Sequence, residues 1–153
     1  MGNGSVIVPG DVQRMSAGTG VMHSEHNHSS GVTHFLQIWI EPSEAGIPPG
    51  YEQSNFDAES KLGVLRLVAS PDGRDGAVRI HQDAYLFAGL LEAGDSVAHP
   101  LQSGRRGYVH VARGSVVACG ESLQAGDAIK VAALAEIRLE HAVGAEVLLF
   151  DLP

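Results

Sequence analysis

Runs of β-branched, aromatic and aliphatic residues, four to nine long, recur along this chain between Gly, Pro and Asp punctuation. They are Ser5 to Val8, Val32 to Ile40, Leu62 to Ala69, Ala77 to His81, Tyr85 to Leu91, Tyr108 to Ala112, Ser115 to Ala118, Ala128 to Val131, Glu136 to His141 and Val147 to Leu152. Ten short strand-like runs with turns between them restrict the chain to an all-β antiparallel sandwich or barrel. The nearest thing to a helix, Ala132 to Glu136, is too short to nucleate one.

The turns share a device. Pro9-Gly10-Asp11, Ala93-Gly94-Asp95 and Ala125-Gly126-Asp127 each follow an apolar residue by two or three positions and introduce a further strand. Glycine supplies the positive φ, and the Asp side chain bonds the turn backbone. Pro71 to Gly76 is another turn, while Ala112-Arg113-Gly114 and Cys119-Gly120-Glu121 read as tight hairpin connections. The repeated device amounts to a weak internal repeat.

In Phe35 to Ile40 one face carries Leu36, Ile38 and Ile40 and the other Phe35, Gln37 and Trp39, the pattern of a strand covered on both sides. The stretch Glu41 to Lys61, with Pro42, Pro48, Pro49 and Gly50, has few apolar pairs and reads as a long ordered connection. A boundary placed there separates a short N-terminal lobe from a larger C-terminal one.

Composition narrows the partners. Of 153 residues 44% are hydrophobic, enough for one full core or two small lobes. Eighteen acidic against ten basic residues leave a formal charge of −8, and the densest basic stretch is the pair Arg105-Arg106, which argues against electrostatic binding to nucleic acid or an anionic membrane. Cys119 is the single cysteine, so neither an internal disulfide framework nor a thiolate metal cage is available. A reducing compartment fits, with the cytoplasm as the expected location. Met1 to Pro9 lacks the basic region and long apolar run of a secretory leader. No run approaches the roughly 20 apolar residues that a membrane helix requires.

The chemistry is concentrated between Met22 and His28, where His23, Glu25, His26 and His28 fall within seven residues. On an extended strand His23 and Glu25 point one way and His26 and His28 the other. The first pair offers an imidazole and a carboxylate, suited to Fe, Mn, Ni or Zn; the second offers two imidazoles. Each pair supplies only two donors, and His34 could add a third across a strand pair. The competing reading is a surface turn, with Ser24, Asn27, Ser29 and Ser30 bonding the local backbone.

The segments Pro9 to Asn27, Thr33 to Ile40 with Tyr51-Glu52-Gln53, and Ala69 to Gly76 together resemble the pirin family of cupins. The resemblance runs through nearly the whole chain. It implies cupin-type antiparallel β-barrels of the jelly-roll kind: an incomplete N-terminal cupin lobe over residues 1–41, a connecting segment over 42–61, and a complete C-terminal cupin domain over 62–153. In the family one metal ion sits in the N-terminal barrel, held by His-x-His on an earlier strand and His-x-Glu on a later one. Only the second pair maps here, onto His23 and Glu25, and Met1 resembles a point inside the family's first barrel.

The C-terminal half resembles the family's metal-free cupin. Leu91 to His99 and Tyr108 to Gly114 stand at the place of a first cupin motif, and Leu123 to Asp127 open the second. Where a metal-binding cupin carries His-x-His this chain reads His99-Pro100-Leu101, with Arg105 and Arg106 nearby, so His99, His110 and His141 are expected to serve packing and hydrogen bonding.

Two functions follow. One is a pirin-like cupin with an incomplete metal site, catalytically silent or impaired, acting as a binding or scaffold protein in a homodimer or higher oligomer that covers the exposed lobe. The alternative is a metal-dependent quercetin (flavonol) 2,3-dioxygenase, its site completed by another chain or by residues preceding Met1. There Glu25 would be ligand and proton acceptor, the metal Fe, Ni, Mn or Zn, and the ligand a small aromatic molecule.

Overall fold

The computed structural model describes residues 4–153. The first three residues of the Met1 to Pro9 start therefore lie outside the described residues. Strand β1 (Asp11–Ser16) pairs antiparallel with β2 (Gly50–Asn55), Asp11 opposite Asn55 and Ser16 opposite Gly50. The remaining strands form one larger sheet system: β3 (Arg66–Ser70), β4 (Val78–Arg79), β5 (Tyr85–Leu91), β6 (Val97–Pro100), β7 (Arg106–Ala118), β8 (Glu121–Gln124), β9 (Ala128–Ala132) and β10 (Glu136–Leu152). Among the described residues the only helical turns are the 3-10 pieces Glu59–Lys61 and Arg74–Gly76. Among the described residues no helix is long and apolar enough to cross a membrane.

The two longest strands organise the barrel. The first half of β7 pairs with β9 and with the end of β10; its second half pairs with β8 and with the beginning of β10. In turn β10 adds β6 along its first half and β5 along its second. Register shifts between Glu140 and Val147 mark where the β10 ladder breaks and bends. Each long strand thereby serves both halves of the sandwich, and their inner faces share one core of Val109, Val111, Val116, Ile137, Leu139, Val147 and Leu149, joined by Leu91 of β5. This is the antiparallel β-barrel anticipated from the runs and turns, and the cupin-type architecture that the family resemblance implied.

A second core lies on the outer side of the β5–β10 sheet. Phe56, Val68, Val78, Ile80 and Leu86 are buried there, with Val12, Ile40, Leu148 and Phe150 packed against them. The small β1–β2 sheet docks at this side. Arg14 pairs with Glu52 at 3.0 Å and donates to the Arg79 carbonyl at 2.9 Å, while the Arg79 N–H donates to Glu52 at 3.1 Å.

The three Gly-Asp turns are built alike. Gly10, Gly94 and Gly126 have φ of 95°, 95° and 93°. The following Asp side chain accepts the N–H of Val8, Glu92 and Gln124 at 2.8, 2.8 and 2.9 Å. That same residue's carbonyl accepts the Asp N–H at 3.0, 3.1 and 2.9 Å.

Several expectations need correction. Ser5 to Val8 and Val32 to Ile40 form no strand: among the described residues no neighbouring strand completes their backbone hydrogen bonds, and Phe35 and Trp39 are exposed rather than covered. The Glu41 to Lys61 connection contains β2, whose polar sequence lacks alternation but whose partner β1 supplies the ladder. Ala112-Arg113-Gly114 is not a hairpin. It is an irregularity inside β7, where Gly114 has φ of 67° and faces the β10 backbone. Tyr108 to Ala112 and Ser115 to Ala118 are thus one strand, as are Glu136 to His141 and Val147 to Leu152. The Cys119-Gly120 hairpin is as expected, with Ala118 opposite Glu121.

Candidate functional site

His23 and Glu25 stand on the stretch from Val21 to Ser29, which belongs to no strand and leaves both side chains exposed. The alternation that sorted His23 and Glu25 from His26 and His28 applies to strands and has no hold here. The His26 and His28 rings stack with centroids 5.9 Å apart. Asn27 accepts from the Ser29 N–H at 2.9 Å and its hydroxyl at 2.8 Å, and donates to the Gly31 carbonyl at 2.8 Å, so of the four polar residues expected to form a local turn Asn27 and Ser29 do so. His34 is also exposed and unpaired with any strand.

Among the described residues no three His, Cys, Asp or Glu side chains converge on one point. An imidazole and a carboxylate are suitable donors for a first-row divalent ion, yet a protein metal site uses three or four. Two exposed donors compete poorly with water. The residues present do not complete a metal centre, and no chemical step can be derived through one.

The polar centre of the molecule lies instead at one end of the C-terminal barrel. Asp151, near the end of β10, is a buried charged side chain. One of its carboxylate oxygens meets His99 Nε2 at 2.9 Å; the other accepts from Arg105 Nε. Arg105 also donates through Nη1 to both carboxylate oxygens of Asp83 at 2.9 and 3.1 Å, and through Nη2 to the Asp151 carbonyl at 3.0 Å and, more weakly, to the Asp83 carbonyl at 3.4 Å. Burial opposes the guanidinium's charge, but the hydrogen bonds to Asp151 and Asp83 outweigh it and raise the Arg105 pKa above its ordinary value.

Strand parity explains the arrangement. Val147 and Leu149 point into the barrel core, and Asp151 is next on that face; across the ladder Asp151 opposes Tyr85 and Gly107. His99 arrives on β6, its ring 4.6 Å from that of Phe87. These groups, with Tyr85, Arg74 and Gln102, line a cleft of about 370 Å³. His99 thus serves hydrogen bonding, as expected. His110 lines a shallower hollow of about 250 Å³ with Leu36, Ile38, Tyr108 and Phe150, and His141 is exposed at a φ of 54°. Asp151 and Asp83 are the residues that sequence reading missed. A charged residue at the inward parity of Val147, Leu149 and Asp151 was the available signal for the first; Asp83 carried none.

Comparison with known proteins places this architecture. Residues 67–152 match the quercetinase C-terminal cupin domain, and residues 1–40 match the family model described as pirin. The chain belongs to the pirin family of cupins. It is 41% identical over 154 residues to a quercetin 2,3-dioxygenase of Escherichia coli K12, covering all of this chain and 65% of that relative. A pirin-like protein of Caulobacter vibrioides is 35% identical over 152 residues, covering 99% of this chain and 66% of its own length. The crystal structure of the bacterial pirin YhhW from Escherichia coli in complex with nickel(II) superimposes with a TM-score of 0.83 at 38% identity, over 94% of this chain and 62% of that one. The chain thus spans about two thirds of the length of these pirins.

Proposed function

We propose that this chain is a pirin-type cupin whose residues 1–41 carry half of a metal site, His23 and Glu25, that it is catalytically silent or impaired on that half alone, and that it works as a binding protein. The observation that carries this reading is the exposed position of His23 and Glu25 with no third donor converging on them among the described residues. The same N-terminal segment carries exposed apolar side chains, with Met22 95%, Val32 100% and Trp39 89% exposed. Unpaired extended backbone and apolar side chains together favour pairing with another chain. A homodimer or higher oligomer that covers Val32 to Ile40 is the assembly this surface suits.

The decisive measurement is metal content and turnover of protein purified without a His-tag. Substoichiometric metal after supplying Fe, Ni, Mn or Zn, with no oxygen uptake on quercetin, is the expected result. Near-stoichiometric metal that disappears in His23→Ala, with flavonol-dependent oxygen consumption, would overturn it.

That opposite outcome is the second reading: a quercetin 2,3-dioxygenase whose remaining donors come from another chain. It is favoured by the 41% identity to a relative of that name and by the nickel(II) complex of a pirin. Under it Glu25 is the group available to take a proton from a substrate hydroxyl, and Glu25→Gln abolishes turnover while retaining more metal than His23→Ala.

A further inference from the structure

The cluster of Asp151, Arg105 and His99 divides into a part that architecture explains and a part that it does not. Arg105 has a partner for every N–H direction: Asp151 at Nε, Asp83 at Nη1, and two carbonyls at Nη2. It clamps the turn before β5 to the end of β10. Asp151 is equally committed, one carboxylate oxygen to Arg105 and the other to His99. These two groups close the barrel end.

His99 and Arg74 are not used up in this way. With Nε2 engaged by Asp151, the imidazole keeps Nδ1 free, in a ring held against Phe87 on the cleft wall. Arg74 lies with its guanidinium carbon 4.7 Å from the Tyr85 ring centre, and its one carboxylate contact, to Asp72, is 3.5 Å long. The rings of Tyr85, with Arg105 also 5.2 Å from its centre, and of Phe87 line the same cleft. About 370 Å³ falls within the roughly 300–1,000 Å³ of small-molecule sites, which combine aromatic walls with a few placed polar groups.

We infer that this cleft binds a small aromatic acid carrying a ring hydroxyl, with its carboxylate on Arg74, its ring against Tyr85 and Phe87, and its hydroxyl on His99 Nδ1. The planar guanidinium matches a carboxylate in a two-point contact. Asp151 and Asp83 already match Arg105, so Arg74 is the guanidinium left to meet an anion, and its single charge suits one carboxylate rather than the two charges of a phosphate monoester. The Asp151 contact fixes the His99 ring and leaves Nδ1 as its remaining polar atom, able to meet a phenolic hydroxyl, which can both donate and accept. This inference does not rest on the metal half-site, since no residue of the Met22 to His28 cluster lines the cleft.

The test uses the whole chain with EDTA present and 4-hydroxybenzoate as probe, read by calorimetry and by amide NMR shifts. Saturable one-site binding is expected, with the largest shifts at Arg74, Tyr85, Phe87 and His99. Arg74→Gln should weaken it about tenfold or more, because a charge-assisted two-point contact is lost from a half-exposed side chain whose replacement leaves the barrel intact. Phenol, lacking the carboxylate, should bind weakly and be indifferent to Arg74→Gln. Benzoate, lacking the hydroxyl, should be indifferent to His99→Gln, which weakens 4-hydroxybenzoate. His23→Ala should change nothing. Absence of saturable binding, unchanged affinity in Arg74→Gln, loss of binding in His23→Ala, or shifts confined to Met22 to Ile40 would each overturn the assignment.

Discussion

At the scale of single residues, Asp151 has the most consequence. Replacing it with Asn keeps its volume but leaves Arg105 buried beside a neutral amide and removes the charge that His99 meets. Breaking one partner of a largely buried ion pair costs about 3 kcal/mol, and urea unfolding of Asp151→Asn should show a midpoint shift of that size with an unchanged slope. Asp11 gives a different test. The Val8 N–H and the Asn55 and Gln53 amides all donate to its carboxylate and hold its pKa below the usual 3.8. A depressed folded-state pKa means that its contribution is whole above the unfolded value and fades as pH falls through the lower, folded one. NMR titration should therefore find Asp11 still ionised at a pH where an unperturbed aspartate has protonated, and Asp11→Asn should flatten the acid limb of the stability curve. Strand parity made Asp151 readable in the sequence. Its partners came from a turn and from β6, 46 and 52 residues away, and no local pattern joins them.

At the scale of elements, the turns were legible and the strand limits were not, for one physical reason. A Gly-Asp turn is made by residues three apart, so its chemistry is written where it acts. A strand exists only when another strand completes its hydrogen bonds. Val32 to Ile40 has strand-like alternation and no strand beside it among the described residues, whereas Gly50–Asn55 has neither alternation nor apolar character and is a strand because β1 lies next to it. Gly114 shows the converse error, a turn residue serving inside a continuous strand. A Cβ there would stand 2.2 Å from the Gly144 carbonyl oxygen, on top of an unfavourable φ of 67°. Gly114→Ala should cost about 2–3 kcal/mol, since two backbones must move apart, visible as a lowered melting temperature. Glu52→Ala, which removes the acceptor shared by Arg14 and the Arg79 N–H, should release β1–β2 locally. Faster hydrogen exchange at Arg79 and across β2, with β7 and β10 unchanged, is the expected signature.

For the molecule as a whole, two bodies of apolar side chains are treated in opposite ways. The barrel core is sealed, with Val109, Val111, Ile137, Leu139, Val147 and Leu149 fully buried. Met22, Val32, Phe35 and Trp39 face solvent. The all-β architecture was legible because it depends on turn count and run length. What covers the exposed surface was not, because a contact with another chain leaves no trace in local pattern. The dimer reading predicts that Phe35→Ser with Trp39→Ser halves the mass found by light scattering without lowering the barrel's melting temperature; an unchanged mass would count against it.

Trp39 is the chain's one tryptophan, and at 89% exposure its indole is already in water. Its fluorescence is therefore nearly blind to melting of the barrel, which circular dichroism will see. It will answer, by a blue shift and loss of quenching by iodide, when something settles on residues 32–40. The fold thus carries an optical reporter confined to its least covered surface, and one titration of emission against protein concentration reads out whether that surface stays wet.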